Sequence, residues 1–316
     1  MRLYYAAALV KKRLEKVIMK QRKLIHFLLV FFTLGYINLV LAYSNPGKPF
    51  PPFRIAGNLY FVGDTYVASY LIVTSQGNIL INSDFETDVP MIKSNIEKLG
   101  FKFGDTKILL ISHAHVDHSG GSALIKKETG ATYMVMAGDV ANVESGGKAD
   151  FMYGNSRDPD MFYQPTKVDR VLHDGDQVKL GNTVLVAHLT PGHTKGCTTW
   201  TMEVTEKGKN YHVVIVGSPF VNPGYKLVHN TVYPNIAEDY KRTFKISKSL
   251  PCDIFLGAHG GYFGLEEKYA LMKKGQSNSF IDPKGYKKFI ASKEQDFYAK
   301  LAKAKHSGKI LTLKID

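Results

Sequence analysis

The sequence predicts an α/β protein built as a four-layer αββα sandwich, in which two packed β-sheets are covered by helices. Two observations predict this class. Short strand-like runs fall into two sets, and helical segments lie between the runs and after the second set. Because each sheet and each amphipathic helix has an apolar face to bury, two sheets packed together and flanked by helices bury all of these faces.

The first set of strands follows a proline-rich lead-in, and glycine and polar turns separate its runs, as hairpin strands require. The predicted strands are 59–62, 69–74, 78–82, 107–112 and 132–136. The run 107–112 is almost wholly apolar, which is typical of a buried central strand. Apolar residues at helical spacing predict helices over 89–99 and 122–128, and glycines suited to C-caps follow both.

The second set of strands is followed by the helices that end the chain. The predicted strands are 169–172, 177–180, 184–189, 198–204 and 213–216. Helices are predicted over 237–248, 265–273 and 287–305. No repeat, low-complexity tract or linker divides these elements, so residues 43–316 are expected to form a single domain.

The charge of the chain is concentrated at its N-terminus. The 316 residues include 41 lysines and arginines against 28 acids, a formal net charge of +13. The first 42 residues hold eight basic residues and one acid, so they supply +7 and leave +6 for the rest. That remainder is mild for a domain of this size, and no nucleic-acid partner is predicted. Hydrophobic content of 44% and charged content of 22% exclude a disordered, fibrous or polytopic membrane protein.

The N-terminus has the pattern of an export signal. Residues 24–42 contain no charged residue, follow a basic cluster and end in Val-Leu-Ala, which suits a cleavage site. We expect a signal peptide over 1–42, with Met19 as an alternative true start, and a periplasmic mature chain that begins near Tyr43. An uncleaved membrane anchor is the alternative, because an apolar run of this length can span a bilayer. The ending favours cleavage, with no stable membrane association afterwards.

The strand predicted to end at Ser112 leads directly into a cluster of metal-binding side chains. The cluster is His113-Ala-His115-Val-Asp117-His118. A lone histidine is usually a hydrogen-bonded structural residue, but three histidines and an aspartate at this spacing are far more often ligands. Alternation along an extended loop puts His113 and His115 on one side, where they can share a metal, and turns Asp117 and His118 toward a second.

Two further histidines occupy the same kind of position at strand ends. His193 lies within Thr-Pro-Gly-His-Thr and His259 within Gly-Ala-His-Gly-Gly, and in both cases glycines permit close backbone approach. The five histidines and the aspartate are sufficient for a dinuclear site with three ligands to each metal. Imidazole and carboxylate ligands without a thiolate suit Zn²⁺ in a hydrolytic site that keeps open positions.

These three motifs, HAHVDH, TPGHT and GAHGG, resemble those of the metallo-β-lactamase superfamily, and the resemblance extends from about Phe53 to the C-terminus. The first motif is specific for the fold and not for the reaction, since thioester hydrolases, lactonases, ribonucleases and sulfatases of the superfamily share it. Most of those hydrolases have a metal-bridging aspartate after the strand that follows the third histidine, where this chain has Ser218. Ser218 and His118 resemble subclass B3 zinc β-lactamases of the FEZ type, whereas subclass B1 has Cys and Arg there.

The resemblance implies a secreted di-zinc β-lactamase that confers antibiotic resistance. A metal-bound hydroxide, oriented by Asp117, would hydrolyse the β-lactam amide of penicillins, cephalosporins and carbapenems. The resemblance assigns three residues to each zinc: His113, His115 and His193 to the first, and Asp117, His118 and His259 to the second. It also implies three substrate contacts, with the last of them at the developing oxyanion: Ser218, Asn222 and Tyr225. Turn chemistry alone would equally explain the Asn-Pro-Gly-Tyr stretch that contains the last two.

Several alternatives stay open from the sequence. The first is a related lactone or thioester hydrolase of the same fold, and the second is a non-catalytic basic binding protein, which the six-residue ligand set opposes. Residues 146–166 are predicted to form either a mobile flap over the pocket or a plain surface connection, and their length favours the flap. Cys197 and Cys252 either pair as a disulfide or stay as thiols. A monomer is the default expectation.

Overall fold

Twelve strands in the described residues form the two predicted sheets. The computed structural model describes residues 47–276 and 278–312, of which the last six are described by their backbone alone. Residues 1–42, with the predicted export signal, lie outside this part. From Gly47 onward the chain forms one compact unit. Among the described residues, no helix is both long enough and apolar enough to cross a membrane.

The first sheet has seven strands that follow one another in chain order, with the last four parallel to each other. They are β1 (Phe53–Ala56), β2 (Leu59–Phe61), β3 (Tyr70–Thr74), β4 (Gly77–Ile81), β5 (Thr106–Leu110), β6 (Thr132–Met136) and β7 (Arg170–Leu172). The second sheet has five strands in the order β12-β11-β10-β9-β8. They are β8 (Gln177–Leu180), β9 (Thr183–Leu189), β10 (Thr198–Glu206), β11 (Lys209–Val216) and β12 (Ile254–Gly257).

The helices cover the outer faces of the sheets. They are α1 (Val89–Lys98), α2 (Val116–Ser119), α3 (Ser122–Thr129), α4 (Val140–Glu144), α5 (Ile236–Ser249), α6 (Gly260–Phe263), α7 (Leu265–Lys273) and α8 (Pro283–Thr312). Side chains alternate between the two faces of a strand. Ile108 and Leu110 of β5 therefore pack into the core between the sheets, whereas Leu109 packs with Ile92 of α1 and Ile125 of α3 on the outer face.

Two hydrogen bonds join the sheets across the central core. The indole nitrogen of Trp200, which is 1% exposed, donates to the carbonyl oxygen of Ile111 at 3.1 Å. The hydroxyl of Tyr70 donates to the carbonyl oxygen of Gly257 at 2.7 Å. Both acceptors lie next to a strand end, so these bonds bring together the edges from which the histidine loops leave.

The predicted elements are present, with shifts at their ends. One sheet assignment is wrong: the strand predicted over 169–172 as the first of the second set pairs in parallel with β6 at the edge of the first sheet. Order along the chain does not show which sheet a strand joins, because pairing with β6 decides it. The structure adds β1 and three single-turn helices, which are too short for a periodic pattern. The strand predicted over 213–216 begins four residues earlier, because the polar stretch before it pairs with β10 in a hairpin that runs to Glu206↔Lys209. A polar strand end in a solvent-facing hairpin lacks the apolar run by which the sequence predicts a strand.

The two cysteines are free thiols in this fold. Cys197 is fully buried, and its sulfur accepts a hydrogen bond from the backbone amide of Ser218 at 3.2 Å. Burial raises the pKa of both thiols to about 12, with a smaller contribution from a neighbouring aspartate in each case. The sequence left open either a disulfide between the two cysteines or two thiols, and the structure contains two thiols.

Candidate metal centre and active site

The first cluster of candidate ligands leaves the end of β5 along an anchored backbone. The amide of Ser112 donates to the side chain of Asn82 at 2.8 Å, and its carbonyl accepts from the amide of Thr198 at 2.7 Å. The chain bends at Ser112 and Ala114, and His115 caps the single-turn helix α2 with a φ of −80° and a ψ of 157°. The ring of His113 lies nearer to that of His118 than to that of His115, with centroids 4.1 Å and 4.8 Å apart, so the division of these ligands between two metals stays a prediction.

His193 reaches the same place from the second sheet. It follows Gly192, whose φ of +126° is one that L side chains rarely adopt, and a Cβ there would lie 2.7 Å from the ring of Tyr240. The His193 Nδ1 atom is hydrogen-bonded to the carbonyl of Phe220 at 2.8 Å. The ligand atoms of His113, His115 and His193 all lie within 4.8 Å of one another. The structure thus brings the three residues assigned to the first zinc together.

The second set of candidate ligands lies directly beside the first. The ligand atoms of Asp117 and His118 lie within 4.8 Å of each other and of His113. His259 follows β12, and its Nε2 lies 3.1 Å from Nε2 of His118 and 3.6 Å from Oδ2 of Asp117. Its Nδ1 is hydrogen-bonded to the carbonyl of Tyr66 at 3.1 Å. All six residues predicted from the sequence therefore meet in one site.

Burial and crowding disfavour the charged form of three of the five candidate histidines. Burial, and then the charge of neighbouring imidazoles, lowers the pKa of His113 and His193 well below the usual value and that of His259 to about 4. Burial alone would raise the pKa of Asp117, but His118 and His259 hold it below its usual range. Burial would lower the pKa of His115, and the Asp150 carboxylate raises it instead. Neutral imidazole and ionised carboxylate are the forms that bind metal.

Unpaired ring nitrogens give a test of whether this donor set fits a metal. Nδ1 of His113 and Nδ1 of His118 are buried and have no hydrogen-bond partner in the structure. Buried polar atoms in native proteins are rarely left unpaired, so each such atom requires a partner or an explanation. Nitrogen and carboxylate donors without a thiolate are typical of zinc sites with open positions. The residues present therefore fit zinc.

Comparison with known proteins agrees with this geometry. The family profile described as the metallo-beta-lactamase superfamily matches residues 62–259, which begin after β2 and end at the last candidate ligand. The chain belongs to the metallo-beta-lactamase superfamily. The predicted family and fold are confirmed.

Solved structures show which members of the superfamily the chain is similar to. The native FEZ-1 metallo-beta-lactamase from Legionella gormanii is 61% identical, with a TM-score of 0.81 over 83% of this chain and 99% of that one. BJP-1, a subclass B3 metallo-beta-lactamase of Bradyrhizobium japonicum, is 40% identical, with a TM-score of 0.78 over 84% and 99%. The class B3 di-zinc metallo-beta-lactamase LRA-12 from an Alaskan soil metagenome is 38% identical, with a TM-score of 0.77 over 81% and 97%.

Curated relatives are more distant. A probable hydroxyacylglutathione hydrolase of Schizosaccharomyces pombe is 26% identical over 175 residues, which are 54% of this chain and 56% of the relative. A probable metallo-hydrolase of Burkholderia pseudomallei is 25% identical over 147 residues, 45% of this chain and 48% of the relative. The chain spans about half the length of the curated relatives it matches.

The three predicted substrate contacts have different hydrogen-bond partners, and only that of Tyr225 is a candidate metal ligand. The Ser218 hydroxyl is 2% exposed and lies 3.2 Å from the hydroxyl of Tyr262. The amide of Asn222 donates to the hydroxyl of Tyr153 at 3.1 Å. The hydroxyl of Tyr225 donates to the carbonyl of His193 at 2.8 Å, so its single proton supports a metal ligand's backbone. The oxyanion contact at Tyr225 stays a prediction.

The segment predicted as a flap is tied to the site at several points. The ring of Phe151 packs against that of Tyr225 with centroids 4.9 Å apart. The hydroxyl of Tyr163 donates to the carbonyl of Ala114, between the first two histidines, at 2.8 Å. Asp150 lies 3.5 Å from Nε2 of His115. Residues 146–166 thus form part of the wall that holds the first histidines, and their mobility stays a prediction.

Two buried aspartates that the sequence motifs do not indicate contact the histidine loops. Asp139 accepts hydrogen bonds from both loops that bear the first three histidines, and Asp150 faces His115. A usable signal exists for Asp139, because it follows β6, which is parallel to β5 and ends at the same edge of the sheet. No local signal marks Asp150, whose role depends on how its loop folds back.

Replacing Tyr225 with phenylalanine tests the role of its hydroxyl. The Tyr225→Phe change leaves the buried carbonyl of His193 without its donor, so we expect the free energy of unfolding to fall by about 1–3 kcal/mol. The measurement is chemical denaturation of the metal-free protein, with Tyr298→Phe, at a residue that is 45% exposed, as the matched control. An unchanged free energy of unfolding would contradict this role and leave the hydroxyl available for an oxyanion.

Proposed function

We propose that the protein is a zinc-dependent β-lactamase of subclass B3. It would use two zinc ions to hydrolyse the β-lactam amide of penicillins, cephalosporins and carbapenems, as a periplasmic monomer that confers antibiotic resistance. The single observation that supports this most is the convergence of five histidines and Asp117, with the buried Ser218 two residues after β11. The similarity to FEZ-1 and to two class B3 enzymes over nearly their whole length points the same way.

The donor sets suggest how the two zinc ions would be held. His113, His115 and His193 would hold the first, and Asp117, His118 and His259 the second. Bound there, zinc would act as a Lewis acid on the β-lactam carbonyl and lower the pKa of a water molecule to about 7. The low pKa of Asp117 keeps its carboxylate ionised, so that it can also orient the attacking water.

The other candidate site residues would bind the substrate, and none of them would attack the amide bond that breaks. Ser218 is deeply buried and its hydroxyl is in contact with Tyr262, which is not the exposed, base-activated position that a serine nucleophile needs. Asn222, already directed toward the site by its hydrogen bond to Tyr153, can donate to the carboxylate that β-lactams carry. The acyl-enzyme chemistry of serine hydrolases is therefore not required.

A thioester or lactone hydrolase is the competing enzyme class. The similarity to a probable hydroxyacylglutathione hydrolase favours it, but only at 26% identity over about half of each chain. Ser218 argues against it, because most such hydrolases have a carboxylate there that bridges the metals. β-Lactamase activity and thioester hydrolase activity are distinguished by assaying the same purified protein with a β-lactam and with a thioester.

Hydrolysis of a chromogenic cephalosporin by the purified mature protein tests the proposal. We expect turnover with zinc, loss of turnover when a chelator such as EDTA removes the metal, and recovery when zinc is returned. A glutathione thioester supplied under the same conditions is expected to be hydrolysed far more slowly. Absence of cephalosporin turnover in fully zinc-loaded protein, or faster thioester hydrolysis, would contradict the proposal.

Two variants serve as controls for the assay. His193→Ala removes a ligand of the first zinc and should abolish turnover. Ser218→Ala removes only a hydroxyl that is neither ligand nor nucleophile and should retain most of it. A Ser218→Ala variant as inactive as His193→Ala would show that the role given to Ser218 is wrong.

Export can be tested independently of catalysis. Expression of the full chain in a Gram-negative host should release a protein into the periplasmic fraction whose N-terminal sequence begins near Tyr43. The basic residues and apolar run before that point form the expected signal. Recovery of the full-length chain from the membrane fraction would instead indicate the uncleaved anchor.

A further inference from the structure

One buried carboxylate joins the two loops that bear the first three histidines. Asp139 follows β6 and is 2% exposed. Its Oδ2 accepts a hydrogen bond from the amide of Ala114 at 2.9 Å and another from the hydroxyl of Thr194 at 2.8 Å. Its Oδ1 accepts a third from the amide of Gly196 at 2.8 Å. Both oxygens of the side chain are therefore in use.

The donors of these bonds are next to the candidate ligands. Ala114 lies between His113 and His115 on the loop from the first sheet, and Thr194 follows His193 on the loop from the second. The carboxylate thus connects the backbones on both sides of the triad. Hydrogen bonds to an ionised carboxylate are about twice as strong as those between neutral groups.

The segment that contains Asp139 packs closely against the loop that bears His193. A Cβ on Gly138 would lie 2.3 Å from the carbonyl oxygen of Lys195, and one on Gly196 would lie 2.4 Å from the amide nitrogen of Asp139. The segment that contains Asp139 and the loop that bears His193 are thus in direct backbone contact. We therefore expect a substitution at Asp139 that loses any of the three hydrogen bonds to alter how the two histidine loops are held.

The second group of ligands is held by other residues. The carbonyl of His118 accepts from the amide of Ser83 at 3.0 Å, and His259 is bonded to the carbonyl of Tyr66. Asp139 makes none of the hydrogen bonds recorded for Asp117, His118 or His259. A substitution at Asp139 should therefore change the zinc affinity of only one of the two metal sites.

We propose that Asp139 is a positioning residue for the first metal site, which sets the distance between the His113–His115 segment and His193 and so the affinity of that triad for zinc. This inference rests on the ligand assignment of the proposed function. Residues that orient metal ligands from outside the coordination sphere typically change metal affinity by roughly 10- to 100-fold when replaced.

The test measures zinc affinity one site at a time. Asp139→Asn replaces one accepting oxygen with an NH₂ group, so at least one of the three donors loses its acceptor. The variant is made in two backgrounds: His259→Ala, which leaves the first site intact, and His193→Ala, which leaves the second. Zinc dissociation constants are measured by competition with a chromophoric chelator. We expect Asp139→Asn to raise the constant roughly 10- to 100-fold in the first background and to leave it unchanged in the second.

Matched controls separate positioning from general stability. Asp169→Asn is the same substitution just before β7, where the carboxylate accepts from the amide of Tyr133 in β6 at 2.8 Å, and it should leave both constants unchanged. If Asp139→Asn does not fold, Thr194→Val removes one of the three bonds and should weaken the first site alone.

Three outcomes would overturn the proposal. One is unchanged zinc affinity in the His259→Ala background, and another is equal weakening in both backgrounds, which would indicate a merely structural role. The third is a protein in which His259→Ala and His193→Ala each fail to remove one equivalent of zinc. That result would show that the ligand assignment itself is wrong. It is obtained by counting the zinc ions bound to the His259→Ala and His193→Ala variants before Asp139 is changed.

Discussion

The site depends on packing five imidazole rings and a carboxylate against one another where water is largely excluded. The ring of His113 lies 4.1 Å from that of His118, 4.6 Å from that of His193 and 4.8 Å from that of His115. Rings this close cannot all be charged. Backbone carbonyls fix the orientation of two of them, those of His193 and His259, through their Nδ1 atoms. The loops that bear these residues begin at strand ends in both sheets. Both sheets must therefore be packed together for the site to form.

The candidate ligands were predictable because each belongs to a short motif directly after an apolar strand. His113 to His118 are contiguous, and His193 and His259 stand in glycine-containing turns, so no long-range information was needed to find them. The fold class was predictable for a similar reason, since strand and helix periodicity are local. Strands with mixed polarity, such as the start of β11, were not, because pairing with β10 and not an apolar run defines them.

The supporting residues were not predictable, because their roles depend on contacts through space. Asp139, which bonds both histidine loops, is separated from His193 by more than fifty positions in the chain. Tyr225 stands in a stretch whose composition suggested either a turn or a substrate contact, and only the fold shows its hydroxyl bonded to His193. Sequence motifs therefore identify the atoms that bind metal, whereas the tertiary structure identifies the atoms that fix their geometry.

A zinc-edge anomalous difference map from crystals of the zinc-loaded mature protein tests the central claim most directly. The account predicts two peaks, the first among the ring nitrogens of His113, His115 and His193. The second is predicted among the ligand atoms of the other three residues: Asp117, His118 and His259. A single peak outside the histidine triad, or a zinc ion bound by the sulfur of Cys197 or Cys252, would contradict it.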